Sequence, residues 1–225
     1  MTTTNENDNN DNDGNNDGNN SASKSGGRPD GVVVFGARGR IGRAVAAEAR
    51  SRGLRVTEAG RAEGDVTSAV DVARLAAGHR AAVVSVYDGR AVPGEFFPAV
   101  ARALAEGLSR AGVDRLVVVG LASVLATDSG ALLMDTPGYP QEWREFSAGH
   151  GAGTEALAAA APAGLDWAVV SPSGDFDHDA AGTGGYRFAA ADAGHRIAPA
   201  DFARAVLDEV QQPTVHAAHA GVVQP

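Results

Sequence analysis

Val32-Val33-Val34-Phe35-Gly36-Ala37-Arg38-Gly39-Arg40-Ile41-Gly42 sets a run of branched and aromatic residues directly against a turn with glycine at every third position. Four consecutive apolar residues stopped by glycine read as a buried strand, and Ile41–Arg52 has the apolar spacing of a helix. A strand, a glycine turn and a helix in that order form the dinucleotide-binding arrangement. Glycine lets the backbone turn tightly and come close to a pyrophosphate, and the helix N-terminus offers unpaired N–H groups to the anion. The spacing is G-x-x-G-x-x-G (Gly36, Gly39, Gly42) rather than G-x-G-x-x-G, so the flanking strand and helix carry more of the signal than the glycines do.

The next predicted strand, Leu54–Ala59, runs into Gly60-Arg61. An acidic residue at the end of this strand suits the ribose 2′-hydroxyl of NAD, and a basic one suits the 2′-phosphate of NADP. Arg61, with Arg38 and Arg40 from the glycine turn, places three guanidinium forks near one predicted pocket, which favours NADP(H) over NAD(H). Glu58 is the opposing feature, as a ribose ligand if the strand ends earlier. The plainer alternative for the arginines is solvation of an exposed turn.

Composition sets the limits. The chain has 225 residues and no cysteine, which excludes disulfides, thiolate metal sites and a cysteine nucleophile. Met1–Asp30 consists mainly of Asn, Asp, Gly, Ser and Thr with no branched aliphatic or aromatic residue, and is expected to be a disordered tail. It has no apolar stretch of the secretory type and is too acidic for a transit peptide. The net charge is −9, of which −4 falls in those first 30 residues (six acidic, two basic). An acidic remainder argues against a nucleic-acid partner, and no apolar run is long enough to cross a bilayer. Residues 31–225 have the size of one α/β domain, expected to be cytoplasmic, monomeric or homodimeric, and to act on a small molecule. Lys24 is the only lysine, so chemistry that needs an ammonium group is closed to residues 31–225.

Short apolar strands alternate with helical patterns, which indicates βαβ units and a parallel sheet. After the first unit come a short strand remnant at Gly64-Asp65-Val66, a helix near Ser68–Ala77 and a strand at Ala81–Val86. Phe97, Val100, Leu104, Leu108 and Ala111 then mark one face of a helix. Leu116–Val119 is the next strand, ending at Gly120, and a long irregular connection follows over Leu121–Pro140. A helix around Gln141–Ala161, a strand at Asp166–Val170 closed by Ser171-Pro172, and a helix over Pro199–Val210 complete the pattern. Thr214–Val223 is read as an edge strand.

In these motifs the chain resembles the atypical short-chain dehydrogenase/reductases, specifically the NAD(P)H-binding, NmrA-like proteins that include NADH-flavin reductases. The resemblance covers Gly31 to about Val222. It rests on Gly36–Gly42, Gly64-Asp65-Val66, Val117–Gly120, Met134–Pro137 with Tyr139-Pro140, and Leu165-Asp166-Trp167. Ser171-Pro172, Gly182–Arg187 and Ala200–Ala203 complete it. It implies a Rossmann-like doubly wound parallel sheet with a small C-terminal substrate lobe. The cofactor would lie over Gly36, Arg38, Gly39, Arg40, Ile41 and Gly42, with Arg61 at its 2′-phosphate end. Asp65 and Val66 would sit beside the adenine, and Val86 and Tyr87 on the ribose and nicotinamide side.

Three departures qualify what is carried over. The Tyr-x-x-x-Lys pair of typical superfamily members is absent. Ser123 falls one residue away from the serine of the relatives' run after Gly120. Gly64-Asp65 follows Arg61 sooner than in relatives, which predicts a shallower adenine edge.

Hydride transfer leaves the protein to position an acceptor and to supply a proton. Ser123, Tyr139 and His150 are the candidate catalytic residues, with Tyr87 as a further donor. Each has a plainer reading: a loop serine bonding its own backbone, a packed tyrosine, and a solvated histidine at the start of a glycine-broken helix. Reduction of a flavin would need none of them. Asp175–Asp179 has metal-ligand residue types, but consecutive side chains diverge, so no metal is expected and the segment reads as a pocket rim. His216 and His219, three apart in a predicted strand, point to opposite faces. The expected activity is NAD(P)H-dependent reduction of a small carbonyl, enone, quinone or flavin acceptor. The alternatives are a non-catalytic NADP(H) sensor and a non-redox cyclase, isomerase or lyase on the same fold.

Overall fold

The computed structural model describes residues 1–2 and 30–225, so the tail expected over Met1–Asp30 lies almost wholly outside the described residues. The buried run opens the chain's regular structure as β1 (Gly31–Phe35), and α1 (Arg40–Ser51) follows the glycine turn. The alternation continues through β2 (Arg55–Ala59), α2 (Ala69–Ala76), β3 (Ala81–Val84), α3 (Pro93–Ala111), β4 (Arg115–Val119), α4 (Arg144–Ala160) and β5 (Asp166–Pro172). Three two-residue strands come next: β6 (Asp175–Phe176), β7 (Arg187–Phe188) and β8 (Arg196–Ile197). The last elements are α5 (Pro199–Gln211) and β9 (Ala218–Val223).

The sheet order is β2-β1-β3-β4-β5-β9-β7, parallel except for β7, which pairs antiparallel with β9. Alternate residues of β1 enter different cores. Val32 and Val34 pack with Ile41 and Val45 of α1 and Phe202 and Val206 of α5, while Val33 and Phe35 pack with Val72, Val100 and Leu104 of α2 and α3. Helices therefore cover both faces, which is why the inner strands β1, β3 and β4 read as continuous apolar runs, while the edge strand β2 is polar and half-exposed. This is the doubly wound, Rossmann-like α/β fold expected from the motifs. Among the described residues no helix is long and apolar enough to cross a membrane.

Four local expectations need correction. Gly64-Asp65-Val66 is not a strand: the Asp65 carboxylate accepts from the N–H and hydroxyl of Thr67, and that local turn replaces pairing. The third strand stops at Val84, two residues early. His150 does not begin a broken helix but lies inside α4, which runs through its glycines uninterrupted. The last strand is internal, because β7 covers its outer side. The true edges are β2, carrying Arg55 and Glu58, and the two-residue β7.

The β5–α5–β9 end is fastened by one buried ion pair. The Arg115 side chain is 4% exposed and that of Glu209 is 2%. Arg115 donates to the carboxylates of Glu209 (3.0 Å) and Asp166 (2.8 Å) and to the carbonyls of Glu209 and Val215. Glu209 also accepts from the backbone N–H groups of Thr214 and Val215. The clasp holds the turn leading into β9 beneath β4 and β5. At the opposite end, Asp201 in the first turn of α5 accepts from the backbone of Thr183 and Gly184 and ties down the Gly182–Gly185 loop. Burial alone would raise the pKa of that carboxyl, but these hydrogen bonds outweigh it and hold the group below the usual carboxylate range.

Candidate functional site

The parallel order brings the carboxyl ends of β2, β1 and β3 side by side, the position where ligand crevices open in such sheets. A cleft of about 720 Å³ lies there. One wall is the glycine turn, with Gly36, Arg38 and Gly39; the other walls come from Gly60, Arg61, Gly64, Asp65 and Val66 after β2, and from Ser85–Asp88 after β3. Eight of the eleven residues proposed from sequence as cofactor contacts therefore line one cavity: Gly36, Arg38, Gly39, Arg61, Asp65, Val66, Val86 and Tyr87. Arg40, Ile41 and Gly42 do not line it. Arg40 is exposed, while Ile41 and Gly42 are buried in the first turn of α1.

The cleft suits a dinucleotide on its own chemistry. Gly39 is the N-cap of α1, no side chain among the described residues caps the helix, and its first turn carries no acidic residue. Its leading N–H groups are thus left for an external acceptor, beside an open cavity and under the positive end of the helix.

The charged residues at the mouth already have partners. Arg38 Nη2 donates to Glu63 Oε1 at 2.5 Å, and Glu63 Oε2 accepts from the Gly60 N–H at 2.8 Å. Arg61 Nη2 reaches across the end of β1 to Asp88 Oδ1 and the Tyr87 carbonyl, both at 3.1 Å. Glu58 is turned away, paired with Arg50 at 2.5 Å. Glu63 is therefore the acid that pairs with the arginine of the glycine turn, beside a cleft whose own lining includes Asp65 and Asp88. The sequence signal for it was an acidic residue three positions after the glycine that ends β2, a spacing that closes a turn.

Next to the cleft, and sharing Val86 with it, is an apolar recess of about 40 Å³ lined by Phe97, Val119, Gly120, His150 and neighbouring core residues. His150 is not a solvated surface histidine. Its ring lies 3.8 Å from that of Phe97 and 5.0 Å from that of Phe146, centroid to centroid, and Tyr87 meets Phe146 edge-on at 5.4 Å. Burial, aided by the charge of His219, pushes the His150 pKa down to about 4. His219 shares a 2.6 Å hydrogen bond with the Ser171 hydroxyl and is itself lowered by burial to about 4. His216, in contrast, reaches Asp166, so the two histidines serve different partners.

Ser123 sits in a short 3-10 turn (Ala122–Val124) after β4, 4% exposed, and its hydroxyl meets no hydrogen-bond partner among the described residues. Tyr139 is partly buried against a separate small cluster of Ala122, Leu125, Leu133 and Ala191. The three candidate proton donors are thus not assembled as one constellation: His150 lines the recess, and Ser123 and Tyr139 lie outside it. In the Asp175–Asp179 segment, the Asp175 and Asp177 carboxylates accept from nearby backbone N–H groups.

A family model described as NAD(P)H-binding matches residues 36–213. No curated protein matches the chain. Three of the solved structures the chain is similar to carry provisional names, the first a Burkholderia pseudomallei protein called exported (27% identity, TM-score 0.72, covering 85% of this chain and 98% of that one). It is also similar to a Bacteroides thetaiotaomicron protein called an epimerase (24%, 0.73, 86% and 96%). A third is a Streptococcus pneumoniae protein called an NADH-flavin reductase (24%, 0.71, 86% and 99%). The match begins at the glycine turn and takes in both walls of the cleft, and by it the chain belongs to the NAD(P)H-binding family.

Proposed function

We propose that this protein is an NAD(P)H-dependent reductase of a small carbonyl, enone, quinone or flavin acceptor, working in the cytoplasm as a monomer or homodimer through one domain, residues 31–225. The observation that carries this reading is the cleft at the carboxyl ends of β1, β2 and β3. It lies beneath a helix N-terminus that no described side chain caps, and a small apolar recess beside it shares Val86 in its lining. When bound, a reduced nicotinamide supplies hydride; the residues described here orient and shelter it. The α1 N-terminus and Gly39 receive the pyrophosphate, Arg38 and Arg61 take the 2′-phosphate of NADPH in preference to NADH, and Val66 and Phe96 flank the apolar parts. Tyr87, exposed at the cleft and braced edge-on by Phe146, offers the face on which a flat acceptor stacks. His150, neutral in this setting, holds the acceptor by a hydrogen bond rather than by charge. The resemblance to a protein named as an NADH-flavin reductase supports the same class.

A second reading, an NADP(H) sensor, is favoured by the dispersed proton donors and by the missing Tyr-x-x-x-Lys pair. Calorimetric titration with NADPH and NADH, followed by a panel of quinones, enones and flavins, separates the two. Micromolar binding with NADPH oxidation supports the reductase; binding without turnover on any acceptor supports the sensor. Product formation with no NADPH consumed would assign the site to a non-redox step. Failure to bind either nucleotide would overturn the cofactor assignment.

A further inference from the structure

We propose that Glu63 sets nucleotide choice by acting as the chain's own anion where a ribose 2′-phosphate would be received; this rests on the cleft being the NAD(P)H site. The carboxylate is held by two donors of different origin, the Arg38 guanidinium from the glycine turn and the Gly60 N–H at the end of β2. A cation together with a backbone N–H, converging on two oxygens of one group, is the donor set a phosphate uses. The turn that presents Glu63 is built for it. The N–H groups of Glu63 and Gly64 both bond the Gly60 carbonyl, and the Glu63 carbonyl accepts from Arg74, which is braced by Asp71.

The pair is also asymmetric. The Arg38 side chain is 65% exposed and that of Glu63 is 33%, so the guanidinium is the open member and the carboxylate the sheltered one. An exposed ion pair of this kind is weak, so a 2′-phosphate can take Arg38 over, but Glu63 then remains beside a second anion. A 2′-hydroxyl requires no such displacement. Glu63 therefore subtracts from the advantage that Arg38 gives NADPH. Arg61, the other cation proposed for the 2′-phosphate, is likewise held in an exposed pair, with Asp88, and using it leaves Glu63 in place.

The test is calorimetric binding of NADPH, NADH, adenosine 2′,5′-bisphosphate and 5′-AMP to the full chain and to Glu63→Gln, which keeps an acceptor oxygen for Gly60. The expected result is a rise of about tenfold or more in the NADPH:NADH affinity ratio, the worth of one freed charge-assisted bond. That rise should come from tighter NADPH, be reproduced by the two adenosine fragments, and be abolished by adding Arg38→Ala. An unchanged ratio, with both nucleotides still bound, would overturn the role of Glu63 and leave the cleft assignment standing. A ratio that rises only through weaker NADH would make Glu63 a ribose ligand and overturn the proposal as well. Loss of all four ligands from the unmodified protein would remove the cleft assignment and this proposal with it.

Discussion

A Cβ placed on Gly42 would stand 2.1 Å from the carbonyl oxygen of Gly36, so the first turn of α1 rests directly on the turn that leaves β1. Gly36 itself has φ +79, and a Cβ there would meet the Ser85 carbonyl oxygen at 2.0 Å. Both contacts are with backbone, which has no rotamer by which to yield. Gly39 differs: it is exposed, and the nearest atom to its Cβ is 3.2 Å away. Gly42→Ala should therefore cost several kcal/mol of stability, on the order of 3 or more. Gly39→Ala should cost within about 1 kcal/mol and chiefly weaken nucleotide binding. Urea unfolding beside calorimetric titration distinguishes them; equal stability losses would contradict the contact geometry.

Arg115→Met leaves Glu209 buried without its cation. Desolvation already holds the Arg115 guanidinium below its ordinary pKa, and the carboxylates of Asp166 and Glu209 pull the other way. Breaking one side of such a pair costs about 3–5 kcal/mol. The double variant Arg115→Met/Glu209→Met should recover part of that loss, and recovery in urea midpoints is the measurement. A single variant as stable as the parent would show that the clasp contributes nothing.

Acid should weaken the fold before it reaches the carboxylate range. An unfolded histidine takes its proton near pH 6.5, while burial holds both His150 and His219 to about 4 in the folded protein. Between those values the unfolded chain binds protons that the folded chain refuses. Stability is therefore full above about pH 6.5 and falls as pH drops toward 4, by up to about 3 kcal/mol for each group. Urea midpoints at pH 7 and pH 5 should differ, and His150→Phe should reduce the difference. Identical midpoints would mean the two rings are solvated.

Ser123 offers a clean separation of roles. Its buried hydroxyl has no partner among the described residues, so Ser123→Ala should be neutral or slightly stabilising. Should Ser123 deliver the proton, NADPH oxidation by a carbonyl acceptor would fall at least about tenfold, the low end for an acid–base group, with nucleotide affinity unchanged. Unchanged turnover, with a fold no weaker than before, would assign the proton to another group.

The cleft of the candidate site was legible because parallel winding leaves little freedom. Once Val32–Phe35 and the strands at Ala81 and Arg55 are neighbours, the residues after each strand must meet at one end. Arg38, Arg61 and Val86 could be named on that ground, whereas Asp65 came from the family resemblance. The pairing of Arg38 with Glu63 and of Arg61 with Asp88 could not, since partner choice among exposed side chains is decided by local turn geometry. The position of β9 was misjudged because only two residues of β7 cover it, too few to leave a pattern. His150 was misread for a different reason. Its flanking glycines look like a helix break, but Gly149 and Gly153 lie against Pro93 and Phe97, so they let α4 pack closely on α3 and bury the histidine between them.

The arrangement of the sheet edges has a consequence for how the protein fails. The stretches richest in branched apolar residues, in β1, β3, β4 and β5, are each paired on both sides. The two outer strands are a five-residue segment carrying Arg55 and Glu58 and the two-residue Arg187-Phe188, poor templates for recruiting another chain. Fibril growth from the intact molecule is thus blocked at both margins. Aggregation on heating should wait for global unfolding, and its rate should track the unfolded population rather than total concentration of native protein.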